Sequence, residues 1–458
     1  MKRHRCARII LLVLLVWGTA FADGYILRTH QASDYPTVAA RWGLTLVNTL
    51  SVEDGVFLVQ APPGAVTPQA LMTDPLVLEA ETDAALILPE FSAGAPVKPA
   101  GNPVPAPLGV DIQNKGSSFY YTSSVWSQYL TQPAAAIIRN PAYPFFQFTN
   151  GFGAVVAVID TGVDFSNSVL APSLMAYPGY DFTRSRLSGQ EETDILSQST
   201  TEVLDQSTTE VLDGGSVMIL NQSTTEVLDQ STTEVLDMNG APLRAFGHGT
   251  MIAGLVHLVA PLAQIMPLKA FSADGSATLS NIVAAIYFAV DHGADVINMS
   301  FDSISDSQAL RAAVQYADLH NVICVASVGN DGEKTSQIFP AAYSQVIGVA
   351  STNDFDVRSL FSNYGDSLVT VAAPGEGVVS TYPFNHWAAG WGTSFSAPLV
   401  AGGAALLVQL NPGIRGNGAA AAFQQGAKDM PGQGLGGGRI DLQNTIDSLL
   451  DRQGGKGQ

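Results

Sequence analysis

The sequence predicts an α/β fold, a mostly parallel sheet with helices on both faces, preceded by a small α+β unit. Three observations carry this expectation. From about residue 151 onward, β-branched apolar runs such as AVVAVID, ADVINMS and VICVASVGN alternate with helical stretches such as LSNIVAAIYFAVDHG and SQALRAAVQYADLHN. Strands buried on both faces read as unbroken apolar runs, and helices between them supply the crossovers that parallel strands need. Residues 24 to about 90 carry a separate, shorter strand and helix pattern. Between the two regions, residues 92–108 are rich in Ala, Pro and Gly and read as a linker.

In chain order, MKRHRCAR is basic, residues 9–17 are apolar, and Ala20-Phe21-Ala22 is a small-x-small site. Residues 1–22 are therefore expected to be a signal peptide cut after Ala22, with export to the periplasm or the medium. The apolar run is shorter than the roughly 20 residues a spanning helix requires. Later apolar runs are broken by Gly, Pro or charge, so no membrane span is expected. Residues 23–91 are expected to form an α+β, ferredoxin-like domain: YILRT as a strand, a helix-like stretch over 37–48, VFLVQ as a strand, a helix from near Thr67, and ALIL as the closing strand. Residues 109–450 form the large domain and 451–458 a flexible tail.

One segment breaks the alternation. QSTTEVLD occurs four times, beginning at Gln198, Gln206, Gln222 and Gln230. A period of eight is far below that of a solenoid unit, so residues 198–237 read as a duplicated acidic surface insertion. Long surface loops are tolerated because closure entropy grows slowly with length.

Composition narrows the function. The formal charge is −19, and losing Lys2, Arg3, Arg5 and Arg8 with the leader would deepen it. Nucleic-acid binding rests on concentrated Lys and Arg, so no nucleic-acid partner is expected. Of two cysteines, Cys6 lies in the leader, which leaves Cys324 without an intramolecular partner. Its setting, Val322-Ile323-Cys324-Val325-Ala326, reads as core rather than as a reactive thiol.

Chemistry concentrates in three islands. Asp160 ends the apolar strand in AVVAVIDTGVD, His248 precedes a helical stretch in GHGTMIAG, and Ser394 opens one in GTSFSAP. In parallel α/β sheets, sites gather where strands end and the following helices begin. Taken singly, each residue has a structural explanation as a cap or a turn. Together, in the order Asp, His, Ser, they resemble the subtilisin-like serine proteases. INMSF, SVGNDG, FPAAYSQVIGVAST, FSNYG and VAAPGEGVVST extend that resemblance over residues 151–446. GTSFSAP lacks the final glycine of a GxSxG elbow, because Ser396 stands there, which weighs against an esterase reading.

The resemblance implies a serine endopeptidase. His248 would take the proton of Ser394 as its hydroxyl attacks a peptide carbonyl, and Asp160 would orient the imidazole and stabilise its charged form. Asn330 in SVGNDG, otherwise a turn residue, would stabilise the oxyanion together with the backbone N–H of Ser394. Activity is then expected to fall as acid protonates the imidazole. Ser300, Phe301 and Asp302 would pair with the substrate backbone, and Ser327, Val328 and Gly329 would form the opposite wall. Asp302 stands where many relatives have glycine, which raises basic substrate side chains as a preference to test.

Asp164, four residues after Asp160, reads as a turn or capping residue, and His257, His292, His320 and His386 have no motif company; all five are set aside. The resemblance also implies that residues 23–91 act as an inhibitory propeptide. The chain runs from His248 through Leu258-Val259-Ala260-Pro261 into AQIMPLKAF without the loop that wraps calcium in many relatives. No cofactor or metal site is therefore expected, although acidic loops leave weak calcium binding open. The expected partners are protein or peptide substrates, and the expected state is a monomer. The rival reading is a catalytically silent surface or binding protein on the same scaffold.

Overall fold

The computed structural model describes residues 23–88 except 63 and 65, 116–140, 149–183 except 176–178, 225–227 and 245–454. The expected leader, the linker and nearly all of the acidic insertion lie outside the described residues. The chain divides between Thr82 and Asp83 into two units.

The N-terminal unit runs β1 (Asp23–Thr29), α1 (Tyr35–Trp42), β2 (Thr45–Ser51), β3 (Val56–Ala61), α2 (Pro68–Leu71) and β4 (Val77–Thr82). Its sheet has the order β2-β3-β1-β4, with every neighbouring pair antiparallel. This is a strand-helix-strand-strand-helix-strand unit. Leu27, Val38, Val59 and Leu71 are fully buried at its centre, and burying such a side chain contributes about 1.5–3 kcal/mol each.

Details depart from the sequence expectation. The helix expected over 37–48 stops at Trp42, where Gly43 takes a left-handed C-cap, and the β-branched alternation of TLVNTLS then continues as a strand. Thr67 does cap a helix, accepting a bond from the N–H of Ala70 at 3.1 Å, but that helix lasts one turn. The closing strand is VLEAET, whereas ALI pairs within the larger unit.

The larger unit continues with β5 (Ala85–Ile87), β6 (Ser117–Tyr120), β7 (Ser123–Trp126), α3 (Ser127–Thr131), α4 (Pro133–Ile137), β8 (Val155–Asp160), β9 (Tyr180–Asp181) and β10 (Thr225–Val227). Then come α5 (His248–Val259), β11 (Gln264–Lys269), β12 (Ser276–Thr278), α6 (Leu279–Asp291), β13 (Val296–Met299), α7 (Gln308–Leu319), β14 (Ile323–Ser327) and β15 (Val346–Thr352). It ends with β16 (Val371–Pro374), β17 (Val378–Tyr382), β18 (His386–Gly390), α8 (Thr393–Leu410), α9 (Gly416–Gly426) and α10 (Leu442–Gly454).

The main sheet has seven strands in the order β16-β15-β14-β13-β8-β11-β9, all parallel to their neighbours. Every residue of β13, β14, β15 and β16 is buried, which explains why these strands read as unbroken apolar runs. Helices α6 and α7 pack together against β8, β11 and β14, while α5 and α8 pack together and α8 lies along β13 to β16.

By length and composition α8 could cross a bilayer, although its sequence is interrupted by Pro398 and two glycines. It is 89% buried inside the fold, so its apolar character belongs to the core. Cys324 is buried in β14, and burial, then the charge of Asp318, pushes its thiol up to about 12. Such a thiol is inert packing. One repeat copy reaches the described structure: Thr225–Val227 pairs antiparallel with Ala388 to Gly390 of β18.

The strand order positions the candidate site. Because β14, β13 and β8 are adjacent, their carboxyl ends set residues 327–330, 300–302 and 160 side by side.

Candidate active site

Asp160 ends β8 and is fully buried. Its own carbonyl accepts the N–H groups of Ala270 and Phe271 at 3.0 and 3.1 Å, which ties the strand end to the next loop. Its carboxylate accepts the N–H of Thr161 at 2.7 Å and reaches Nδ1 of His248 with both oxygens, at 2.8 and 3.0 Å. The carboxylate thus fixes the proton on Nδ1, which turns Nε2 into the basic nitrogen.

His248 is the first residue of α5 and is 2% exposed. The helix start approaches the Asp160 turn closely: the N–H of Gly249 donates to Thr161 Oγ1 at 3.0 Å. A Cβ on Gly249 would lie 2.1 Å from the carbonyl oxygen of Gly162 and 3.1 Å from Asp160 Oδ1. Only glycine fits, and the second glycine of GHGT thereby sets the distance between carboxylate and imidazole. On its other side the imidazole meets Phe395 edge to face, with ring centroids 5.5 Å apart.

Phe395 follows Ser394, the second residue of α8. The Ser394 hydroxyl donates to the carbonyl of Ser300 at 3.2 Å, and the Ser300 hydroxyl returns a bond to the carbonyl of Ser394 at 2.9 Å. Asn298 Nδ2 steadies the Ser300 hydroxyl at 2.9 Å. The first of these is long for a hydroxyl bond, so turning χ1 of Ser394 costs little. Asn330 is 4% exposed, and its Oδ1 accepts both the N–H and the hydroxyl of Thr393 at 2.9 Å. Those two bonds fix the orientation of the amide, so Nδ2, the donor end, points away from Thr393.

The expected wall residues divide in role. Ser300, Phe301, Ser327 and Val328 are buried, and Phe301 packs on Phe271 with ring centroids 5.4 Å apart. A substrate could meet them only through main chain. The carboxylate of Asp302 is half-buried and lies against Gly329.

Residues set aside in the sequence have structural work. Asp164 accepts the N–H and hydroxyl of Ser166 at 2.8 and 2.6 Å and the N–H of Phe384 at 2.8 Å. His257 is fully buried beside Tyr129, and burial lowers its imidazole to about 4. His292 and His320 bond the helix carbonyls of Phe288 and Tyr316, each at 2.8 Å.

Two further residues shape the site. Thr393 holds Asn330, and nothing but its place before Ser394 signals that in the sequence. Lys269 is 6% exposed, and its ammonium donates to the carbonyls of Thr161 and Phe271 at 2.8 and 2.9 Å, directly below the Asp160 turn. A lone charge in the apolar run AQIMPLKAF is the available signal. Among the described residues no group of three or more His, Cys, Asp or Glu side chains could hold a metal ion.

The subtilase family model matches residues 151–446. Subtilisin DY of Bacillus licheniformis is 40% identical over 178 residues, covering 36% of this chain and 65% of that protein. Thermitase of Thermoactinomyces vulgaris is 37% identical over 217 residues, covering 45% of this chain and 76% of that protein. The minor extracellular protease Epr of Bacillus subtilis is 38% identical over 175 residues, covering 36% of this chain and only 27% of that protein. Fervidolysin from Fervidobacterium pennivorans superposes with a TM-score of 0.63 at 20% identity, over 93% of this chain and 61% of that one, a likeness of fold.

Proposed function

The chain belongs to the subtilase family, and from that premise we propose that it is a secreted serine endopeptidase acting on protein or peptide substrates through Asp160, His248 and Ser394. The observation that carries the reading is the buried pairing of both Asp160 oxygens with Nδ1 of His248, on an imidazole held beside the residue that follows Ser394. A carboxylate so placed stabilises the imidazolium that forms when Nε2 takes the Ser394 proton. The hydroxyl leaves the Ser300 carbonyl, turns toward the imidazole and attacks the peptide carbonyl. The proton then passes from His248 to the leaving amine, and water repeats the sequence to release the acyl group.

Charge that develops on the carbonyl oxygen meets the Nδ2 donor of Asn330 and the N–H of Ser394 at the start of α8. No cofactor enters these steps. Export rests on the leader pattern of residues 1–22 and on the extracellular character stated in the name of Epr.

We also propose that residues 23–91 are an inhibitory propeptide. Just past the N-terminal unit, Ala85–Ile87 adds as an antiparallel strand to β12, and Asp83 accepts the N–H and hydroxyl of Ser280 at 2.8 Å at the start of α6. Main-chain pairing of this kind suits a segment that later gives way to substrate.

Labelling with a fluorophosphonate tests the enzyme reading. Ser394 should take the label in the purified protein and Ser394→Ala should not. Absence of labelling after residues 23–91 have been cut away would leave only a silent scaffold.

A further inference from the structure

We infer that Asp302 makes this site select a cationic side chain, lysine or arginine, on the substrate residue whose carbonyl is cleaved. The inference rests on the proposed peptidase reading and adds a substrate class to it. A carbonyl attacked by Ser394 Oγ, with its oxygen toward Asn330, lies over the gap between two extensions of the sheet. One leaves β13 at Ser300, whose carbonyl holds the Ser394 hydroxyl; the other leaves β14 at Ser327 and reaches Asn330. Of residues 300–302 and 327–330 only Asp302 is not buried, so the side chain of that substrate residue would meet Asp302 first.

The Asp302 carboxylate spans the gap. A Cβ on Gly329 would lie 2.6 Å from Asp302 Oδ2 and 2.7 Å from Asn363 Nδ2, so the carboxylate crosses from the first extension to the second, one residue before Asn330. Gly329 is required there both by this approach and by its φ of +88°. Asn363 Nδ2 also donates to Asp331 Oδ2 at 2.9 Å, which brings a second carboxylate to the same place. From Ser300 to Asp306 and from Ser327 to Lys334 the chain carries Asp302, Asp306, Asp331 and Glu333 against one cation, Lys334, with Asp306 itself paired to Arg311. A long apolar side chain laid over Asp302 would bury a carboxylate further and return no hydrogen bond. A long cationic one can keep its stem against the walls and its head at Asp302.

Two peptidyl diphenyl phosphonates that differ only in carrying arginine or phenylalanine at the cleaved-carbonyl residue test this, each read as a rate of Ser394 modification. The ratio of the two rates cancels the intrinsic reactivity of the serine. The unaltered protein should favour the arginine reagent by about tenfold or more, and Asp302→Asn should cut that ratio by about tenfold. Asp331→Asn should cut it less, and rising salt should lower it in the unaltered protein. Equal or faster reaction with the phenylalanine reagent overturns the inference without any variant having to fold, as does a ratio unmoved by Asp302→Asn. If a simple fluorophosphonate, which has no side chain to select, also fails to label Ser394 after residues 23–91 have been cut away, the peptidase reading itself falls.

Discussion

Asn330 and His257 show how burial assigns opposite roles to polar side chains. Asn330 is held through its oxygen so that its nitrogen can donate. Asn330→Leu should lower kcat by about 10²–10³-fold, roughly 3 kcal/mol, with little change in KM, the magnitude measured for the oxyanion-hole asparagine of another member of this family. A variant that raised KM and left kcat intact would remove Asn330 from the mechanism. His257 is fully buried with an imidazole lowered to about 4, and its Nε2 has no hydrogen-bond partner among the described residues. The unfolded chain binds this proton near the usual 6.5 and the folded chain resists it until about 4. Stability from this group is therefore complete above pH 6.5 and is lost as pH falls through that window, by about 3 kcal/mol at pH 4. Asp354 works the other way, since burial and then Glu376 raise it to about 6, and acid relieves that cost. Urea melts at pH 7 and pH 4 should show the unaltered protein losing about 3 kcal/mol more than His257→Phe, and parallel losses would refute the assignment.

At the level of elements, the Asp160 turn and the start of α5 form one joint. Gly249→Ala would push a methyl into the main-chain carbonyl of Gly162, so the helix start and His248 must retreat from Asp160. Activity should fall by at least about 10²-fold, since displacements near 1 Å cost that much. An active alanine variant would show that the joint is slack. Lys269 braces the same turn from β11. Lys269→Met leaves the carbonyls of Thr161 and Phe271 buried without their donor, and should lower stability by about 2–4 kcal/mol in denaturant melts. The unequal legibility of these parts has a physical origin. AVVAVID, ADVINMS and VICVASVGN are readable as strands because burial on both faces writes an unbroken apolar run, and the Asp, His and Ser islands stand at their ends. Short-range pattern fails where a single residue decides, as at Gly43, where TLVNTLS leaves a helix it could have continued. It also fails where partners are remote: Thr393 grips Asn330 across 63 positions, and no local signal records that. The strand Ala85–Ile87 is legible, but its partner Ser276–Thr278, nearly two hundred positions away, is not.

For the molecule as a whole, the division between Thr82 and Asp83 carries the last prediction. The N-terminal unit has its own four-stranded sheet and its own core around Leu27 and Val59, so removing it need not disturb the larger unit's sheet. Strand Ala85–Ile87, however, is bonded to β12, and Leu88 donates to the carbonyl of Gly275 at 2.9 Å. A cut after this segment would free its edge of β12 for another extended chain, and under the proposed propeptide role these are the bonds that would exchange as inhibition is relieved. If Ser394 makes that cut, the expressed protein should shorten by roughly 70–100 residues beyond the loss of the proposed leader, a loss of the size of one small unit. Ser394→Ala should then persist at the longer length, and its mass should drop only when active protein is added in trans. Equal lengths for the two proteins would mean that maturation does not use this serine. A shortened Ser394→Ala chain would mean that another peptidase performs it. Asn330→Leu adds a graded check, because a self-cutting chain weakened in transition-state stabilisation should mature slowly, and one cut by others should mature at the normal rate.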